Sequence, residues 1–155
     1  QVIIYNRTID LSRLFYYFFE VVMSDTYKEC LMKYCGKEPL PHCCTALECE
    51  IESMEPDKDG GIESTYFFSI DDTEIGSISI YEEKQTVNIF GVYIEPEYRG
   101  KGYAREMMYS VLEDIIPGGR QILLQVADNN KPAFGLYTGC GFKVIDFVEM
   151  NTTQD

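Results

Sequence analysis

Arg99-Gly100-Lys101-Gly102 joins an apolar extended segment, Val92 to Ile94, to an amphipathic helix that opens near Tyr103 and Ala104. Residues of these types at a helix start are suited to holding a phosphate or a pyrophosphate. The first turn of a helix carries amides without intrahelical acceptors, and the macrodipole adds partial positive charge there. Gly100 and Gly102 keep side chains away from those amides, while Arg99 and Lys101 add formal positive charge. The turn is not GxxxxGK[ST], because Tyr103 follows Gly102. It is not GxGxxG either, because Arg105 stands where the third glycine belongs.

A second segment, Asn130 to Phe142, carries the other chemically informative residue, Tyr137. Asn129 or Asn130 can cap a short helix, Pro132 suits its first turn, and Gly139 and Gly141 end it before an apolar strand. Ala133, Leu136, Tyr137 and Cys140 recur at helical spacing and share one face. A tyrosine on such a face keeps a polar tip on an apolar body, which suits either a core contact or proton donation.

Together the two segments resemble the GNAT family of N-acetyltransferases. Arg99, Gly102 and Ala104 match its acyl-CoA-binding motif [QR]xxGx[GA], and Asn130, Ala133, Leu136, Tyr137, Gly141 and Phe142 match its later motif NxxAxxLYxxxGF. The resemblance implies direct transfer of an acetyl group from acetyl-CoA, as cosubstrate, to a primary amine. Backbone groups of Val92, Tyr93 and Ile94 would pair with the pantetheine arm as an added strand does. Arg99, Gly100, Lys101, Gly102, Tyr103 and Ala104 would hold the pyrophosphate, and Asn130 would bond the arm from the other side. Tyr137 would give its proton to the departing thiolate, for which a reference pKa of about 10 against about 8.5 for a thiol is suitable.

The general base is the open position in this scheme. Many family members carry a carboxylate on the strand leading into the phosphate turn, but the alternating residues here are Thr86, Asn88, Phe90 and Val92. Asn88 holding a relaying water is one reading; a carboxylate from another strand, such as Glu50, Glu52 or Glu82, is the other. The missing base also gives the main alternative, a non-catalytic acyl-CoA-binding sensor or interaction module, against which Tyr137 speaks.

These groups need a scaffold, and the apolar periodicity outlines one. Val2 to Tyr5 predicts a short strand, and a helix carries Leu14, Phe15, Phe18 and Val22. A second helix is expected from Thr26 to about Cys35, stopped by Gly36, Pro39 and Pro41. Strands follow over Ala46 to Ser53, Thr65 to Ile70, Glu74 to Tyr81 and Thr86 to Ile94, with turns at Asp71-Asp72 and Glu83-Lys84. Ala104, Met107, Met108, Val111, Leu112, Ile115 and Ile116 form the clearest helical stripe, ended by Pro117-Gly118-Gly119. Gln121 to Val126, the Tyr137 helix and a strand from Phe142 complete the order. The expected fold is α/β (α+β): a mixed, mostly antiparallel sheet with helices on both faces, one domain over residues 1–155. Members of the family usually end in two strands, whereas one is visible here. The resemblance therefore implies a sheet shortened at its C-terminal side, with the acceptor pocket open or completed by a second subunit in a homodimer.

Composition narrows the partners. The chain of 155 residues holds 26 acidic and 13 basic side chains, a formal net charge of −13, so its field attracts cations and repels nucleic acid. A polyamine, an aminoglycoside or a basic peptide is the acceptor class this favours. The most apolar stretch, Leu14 to Met23, is interrupted by Glu20 and is too short for a membrane span. Six cysteines in a chain of this length are expected as cytoplasmic thiols, not a secreted disulfide framework. Cys30, Cys35, His42, Cys43, Cys44 and Cys49 are metal-ligand types in one neighbourhood. No CxxC pair occurs among them, and no metal is expected.

Overall fold

A computed structural model describes residues 27–36, Leu40 and 46–150. Its framework is one sheet of seven strands: β1 (Tyr27–Tyr34), β2 (Glu48–Ser53), β3 (Ile62–Ile70), β4 (Thr73–Glu82), β5 (Thr86–Ile94), β6 (Gln121–Ala127) and β7 (Phe142–Met150). Helix α1 (Tyr103–Ile115) connects β5 to β6, and α2 (Lys131–Cys140) connects β6 to β7. The strand order is β2-β3-β4-β5-β6-β1-β7, and among these strands only β5 and β6 pair in parallel. A parallel pair needs a crossover connection, which is the position α1 fills.

Strands β3 to β5 form the expected meander, and β2, exposed along its whole length, joins it at the edge of the sheet. Asp71 and Asp72 both have positive φ, 48° and 63°, the geometry of a two-residue hairpin that matches strand twist. Aspartate accepts that conformation better than most residues because its short side chain bonds locally.

One continuous face of the sheet is buried. Tyr66, Phe68, Ile78, Ile80, Val87, Ile89, Ile122 and Leu124 share this face across β3 to β6, and Cys30 and Met32 extend it into β1. Met107, Met108, Val111, Leu112 and Ile115 of α1 and Ala133, Tyr137 and Cys140 of α2 close over this face as one core. The two helices also touch each other, so both lie on the same side. At roughly 1.5–3 kcal/mol per large apolar side chain removed from water, this row holds the fold together.

The helix expected from Thr26 to Cys35 is strand β1, antiparallel to β6 on one side and to β7 on the other. Lys, Glu, Leu and Met in that segment favour helices weakly, but burying Cys30 and Met32 alternately between two strands outweighs propensity. The place beside β7 in the sheet is thus taken by a strand from the N-terminal side of the same chain. The strand Val2 to Tyr5 and the helix around Leu14 to Val22 lie outside the described residues. Among the described residues, no helix is long and apolar enough to cross a membrane.

Candidate active site

The site begins where two parallel strands part. β5 and β6 are paired from Thr86 with Gln121 to Ile89 with Leu124, and pairing then stops although both strands continue. A bulge explains the departure. Ser77 pairs with Tyr93 and Ser79 with Phe90, so β5 carries one extra residue against β4. Gly91 sits in it with φ 59°, a conformation that a side chain would strain. The extra residue bends β5 away from β6 and shifts the buried phase from Val87 and Ile89 to Val92.

The bulge also decides which backbone groups face the gap. Glu95 N–H donates to Ile75 O at 2.7 Å, so the alternate residues Val92 and Ile94 turn their amides away from β4. Ile94 O, directed that way, accepts from Arg99 Nε at 3.0 Å. Gly76 allows this close approach: an added Cβ would strike Tyr93 O and lie 2.9 Å from Met107 Cε.

β5 runs directly into the phosphate-type turn. A short 3-10 turn, Pro96–Tyr98, leads to Gly100 (φ 72°) and Gly102 (φ 86°), both left-handed. An added Cβ at either glycine meets no protein atom within 4 Å, so the left-handed conformation, not internal packing, favours glycine there. The first bond of α1 is Glu106 N–H to Gly102 O at 3.3 Å, and no side chain caps the helix. The amides of its first turn are therefore available to an anion. Arg99 lies 5.9 Å from the Tyr93 ring centre and Lys101 Nζ 5.8 Å from that of Tyr98, so aromatic faces hold both cations at the rim. Tyr103 joins the same rim, its ring 6.0 Å from Tyr98. These features fit a pyrophosphate such as that of CoA.

On the β6 side, Asn130 caps α2: its Oδ1 accepts from Ala133 N–H at 3.3 Å, leaving the amide hydrogens for a ligand. Tyr137 is 5% exposed on the core face of α2. Its ring meets Phe142 edge-on at 6.2 Å, and Phe142 meets Tyr34 of β1 at 5.5 Å. Gly141 (φ 106°) ends the helix beneath this aromatic group. Cys140, one turn beyond Tyr137, is buried, and burial pushes its thiol up to about 11 against a smaller lowering by Arg105.

The other candidates are scattered. Asn88 lies in the paired half of β5, in register with Tyr81 and Leu123. Glu50 and Glu52 are exposed on β2, three strands from β5. Glu82 is paired with Arg120 at 2.7 Å beside an open cavity of about 520 Å³ at the far end of β5. Among the described residues no group of three metal-ligand side chains occurs; His42, Cys43 and Cys44 lie outside them. Two residues escaped the sequence reading. Gly91 carried a usable signal, an isolated glycine inside an apolar strand. Glu29, half-buried near Asp128, carried none, because the segment reads as helix.

The comparisons with known proteins bear on the family and the fold. The family model described as the acetyltransferase (GNAT) family matches residues 22–142. No curated protein matches. Among solved structures, the fold is similar to a GNAT-family protein from Novosphingobium aromaticivorans, with a TM-score of 0.62 at 19% identity over 80% of this chain and 62% of that one. It is also similar to a tandem GNAT protein of the clavulanic acid biosynthesis pathway, with a TM-score of 0.66 at 13% identity over 80% of this chain and 52% of that one. AAC(6')-Iy, solved with a bisubstrate analogue joining CoA to an acetylneamine, has a TM-score of 0.51 at 14% identity over 60% of this chain and 70% of that one. The chain spans 62% and 52% of the first two structures' lengths.

Proposed function

We propose, from the premise that this chain belongs to the GNAT family of acetyltransferases, that it moves an acetyl group from acetyl-CoA directly to a cationic primary amine. The observation that carries this reading is the parting of β5 from β6 after Ile89 and Leu124, which leads without interruption into the Gly100 and Gly102 turn. A pantetheine arm laid along Val92 to Ile94 would act as a short added strand. The diphosphate would sit on the amides of α1, with Arg99 and Lys101 at its edge.

In this scheme Val92 N–H polarises the thioester carbonyl, and fixing the two reactants supplies much of the rate. Tyr137 protonates the leaving thiolate, and Asn130 holds the arm. Asn88 would keep a water in line at the closed end. The raised pKa of Cys140 supports direct transfer, since a buried thiol is a poor nucleophile at neutral pH and an acyl-cysteine stage is disfavoured. A net charge of −13 supports a polyamine, an aminoglycoside or a basic peptide as acceptor.

The second reading, a CoA-binding module without turnover, draws on one observation: β5 presents Asn88 where a base is needed. Calorimetry with CoA, followed by thiol-release assays against those three amine classes, separates the readings. Binding with turnover supports transfer, binding without turnover supports the module, and no binding removes both.

A further inference from the structure

An amine with a reference pKa near 10.4 arrives as ammonium, and something must take its proton before it can attack. On its face away from the helices β5 offers Thr86, Asn88, Phe90 and, beyond the bulge, Tyr93, and none of these is a carboxylate. The opposite flank of the gap offers a carboxylate. β1 runs antiparallel to β6 with Glu29 in register with Ala127, the last residue of β6. Pairing with β5 ends at Leu124, so Gln125 to Ala127 form the open arm, and Glu29 stands one strand behind its tip. Neighbouring strands are about 4.8 Å apart, a span that a glutamate side chain can bridge.

The register is held on both sides. Lys28 N–H donates to Asp128 Oδ1 at 3.0 Å, and Asp128 N–H donates to Lys28 O at 2.9 Å. Cys30 and Met32 are buried toward α1 and α2, so alternation puts Glu29 on the sheet face opposite to Tyr137. A base and an acid on opposite faces of one cleft is the arrangement that a displacement at a carbonyl between them needs.

We propose that Glu29 is the general base that takes the acceptor's proton. The proposal rests on the acetyl-transfer reading above. The ammonium gives one proton to Glu29, and its lone pair forms the C–N bond while the C–S bond breaks. The phenol proton of Tyr137 goes to sulfur. The second nitrogen proton restores the phenol through water, and Glu29 returns its own to solvent. One ammonium and one thioester thus give one amide, one thiol and one proton. Burial, and then the charge of Asp128, raise the Glu29 pKa from its ordinary value, the direction that makes a carboxylate a better proton acceptor. The charge that acts on it is Asp128, just beyond β6; Lys28 and Lys131 act on the neighbouring Cys30, and on β7 its register partner is Val148.

The test compares wild type with Glu29→Gln and Glu29→Asp, using an alkylamine that wild type acetylates and a weakly basic aryl amine that is neutral at assay pH. Glu29→Gln should lower kcat/KM for the alkylamine by about 100-fold at neutral pH. The deficit should shrink as pH rises, because solution then deprotonates the amine. The aryl amine should be nearly unaffected, Glu29→Asp should recover part of the rate, and calorimetry should show unchanged CoA affinity in both variants, which also reports folding. An equal loss for both amines, or wild-type rates in Glu29→Gln, overturns Glu29 alone. A wild type that binds CoA but turns over no amine overturns the transfer reading with it.

Discussion

Ile89 and Leu124 form the last register pair between β5 and β6. On one side of this pair the sheet is continuous. On the other, β5 bends at Gly91 and runs out to the glycine turn, while β6 runs out to Asp128 and the cap of α2. Every residue assigned above to cosubstrate binding lies on one of these two arms or on the helix each arm leads into.

Gly102 tests the anion cradle. Gly102→Ala places a methyl group beside the α1 amides and forces a left-handed conformation that costs about 1–2 kcal/mol. The expected outcome is a CoA affinity lower by about tenfold or more in calorimetry, with a smaller fall in Tm. A variant that binds CoA like wild type would show that the diphosphate sits elsewhere.

Tyr137→Phe retains the ring contact with Phe142 at the cost of one oxygen. General acid catalysis is typically worth about 10²–10⁴-fold, so kcat should fall by about 100-fold with CoA affinity unchanged. An unchanged kcat would make this tyrosine a packing residue.

Asn130 has two roles that two substitutions separate. Asn130→Asp keeps an acceptor for Ala133 N–H but removes the amide donors, so Tm should hold while KM for acetyl-CoA rises. Asn130→Ala removes both and should also cost about 1 kcal/mol of stability in denaturant titrations. A KM in the Asn130→Asp variant equal to that of wild type would confine the residue to capping.

Glu29 gives a pH dependence with a definite sign. Its pKa is raised in the folded state, so the unfolded chain releases this proton first as pH rises. The folded state loses stability from this group as pH climbs from the unfolded value through the folded one, and the loss is complete above that. Glu29→Gln should therefore raise Tm at pH 7, and raise it less at pH 4. The same Tm change at both pH values would mean that burial of the charge is not what the substitution relieves.

The glycine turn, the α1 stripe, the Asn130 to Gly141 helix and the β3 to β5 meander are all legible in the amino-acid sequence. Each is encoded by residues close together in sequence: glycine at positive φ, an apolar repeat of helical period, a cap, a strict alternation. Long-range packing settled the rest. Tyr27–Tyr34 has residues that tolerate a helix, and only pairing with β6 and β7, both distant in sequence, makes it β1. That choice put Glu29 in register with Ala127 at the end of β6, while strand order set Glu50 and Glu52 apart and Glu82 fell at the closed end of β4, opposite Val87. Local periodicity reports which face of an element is apolar. Which elements become neighbours depends on how the whole apolar surface is removed from water at once, and that is decided only when the chain closes on itself.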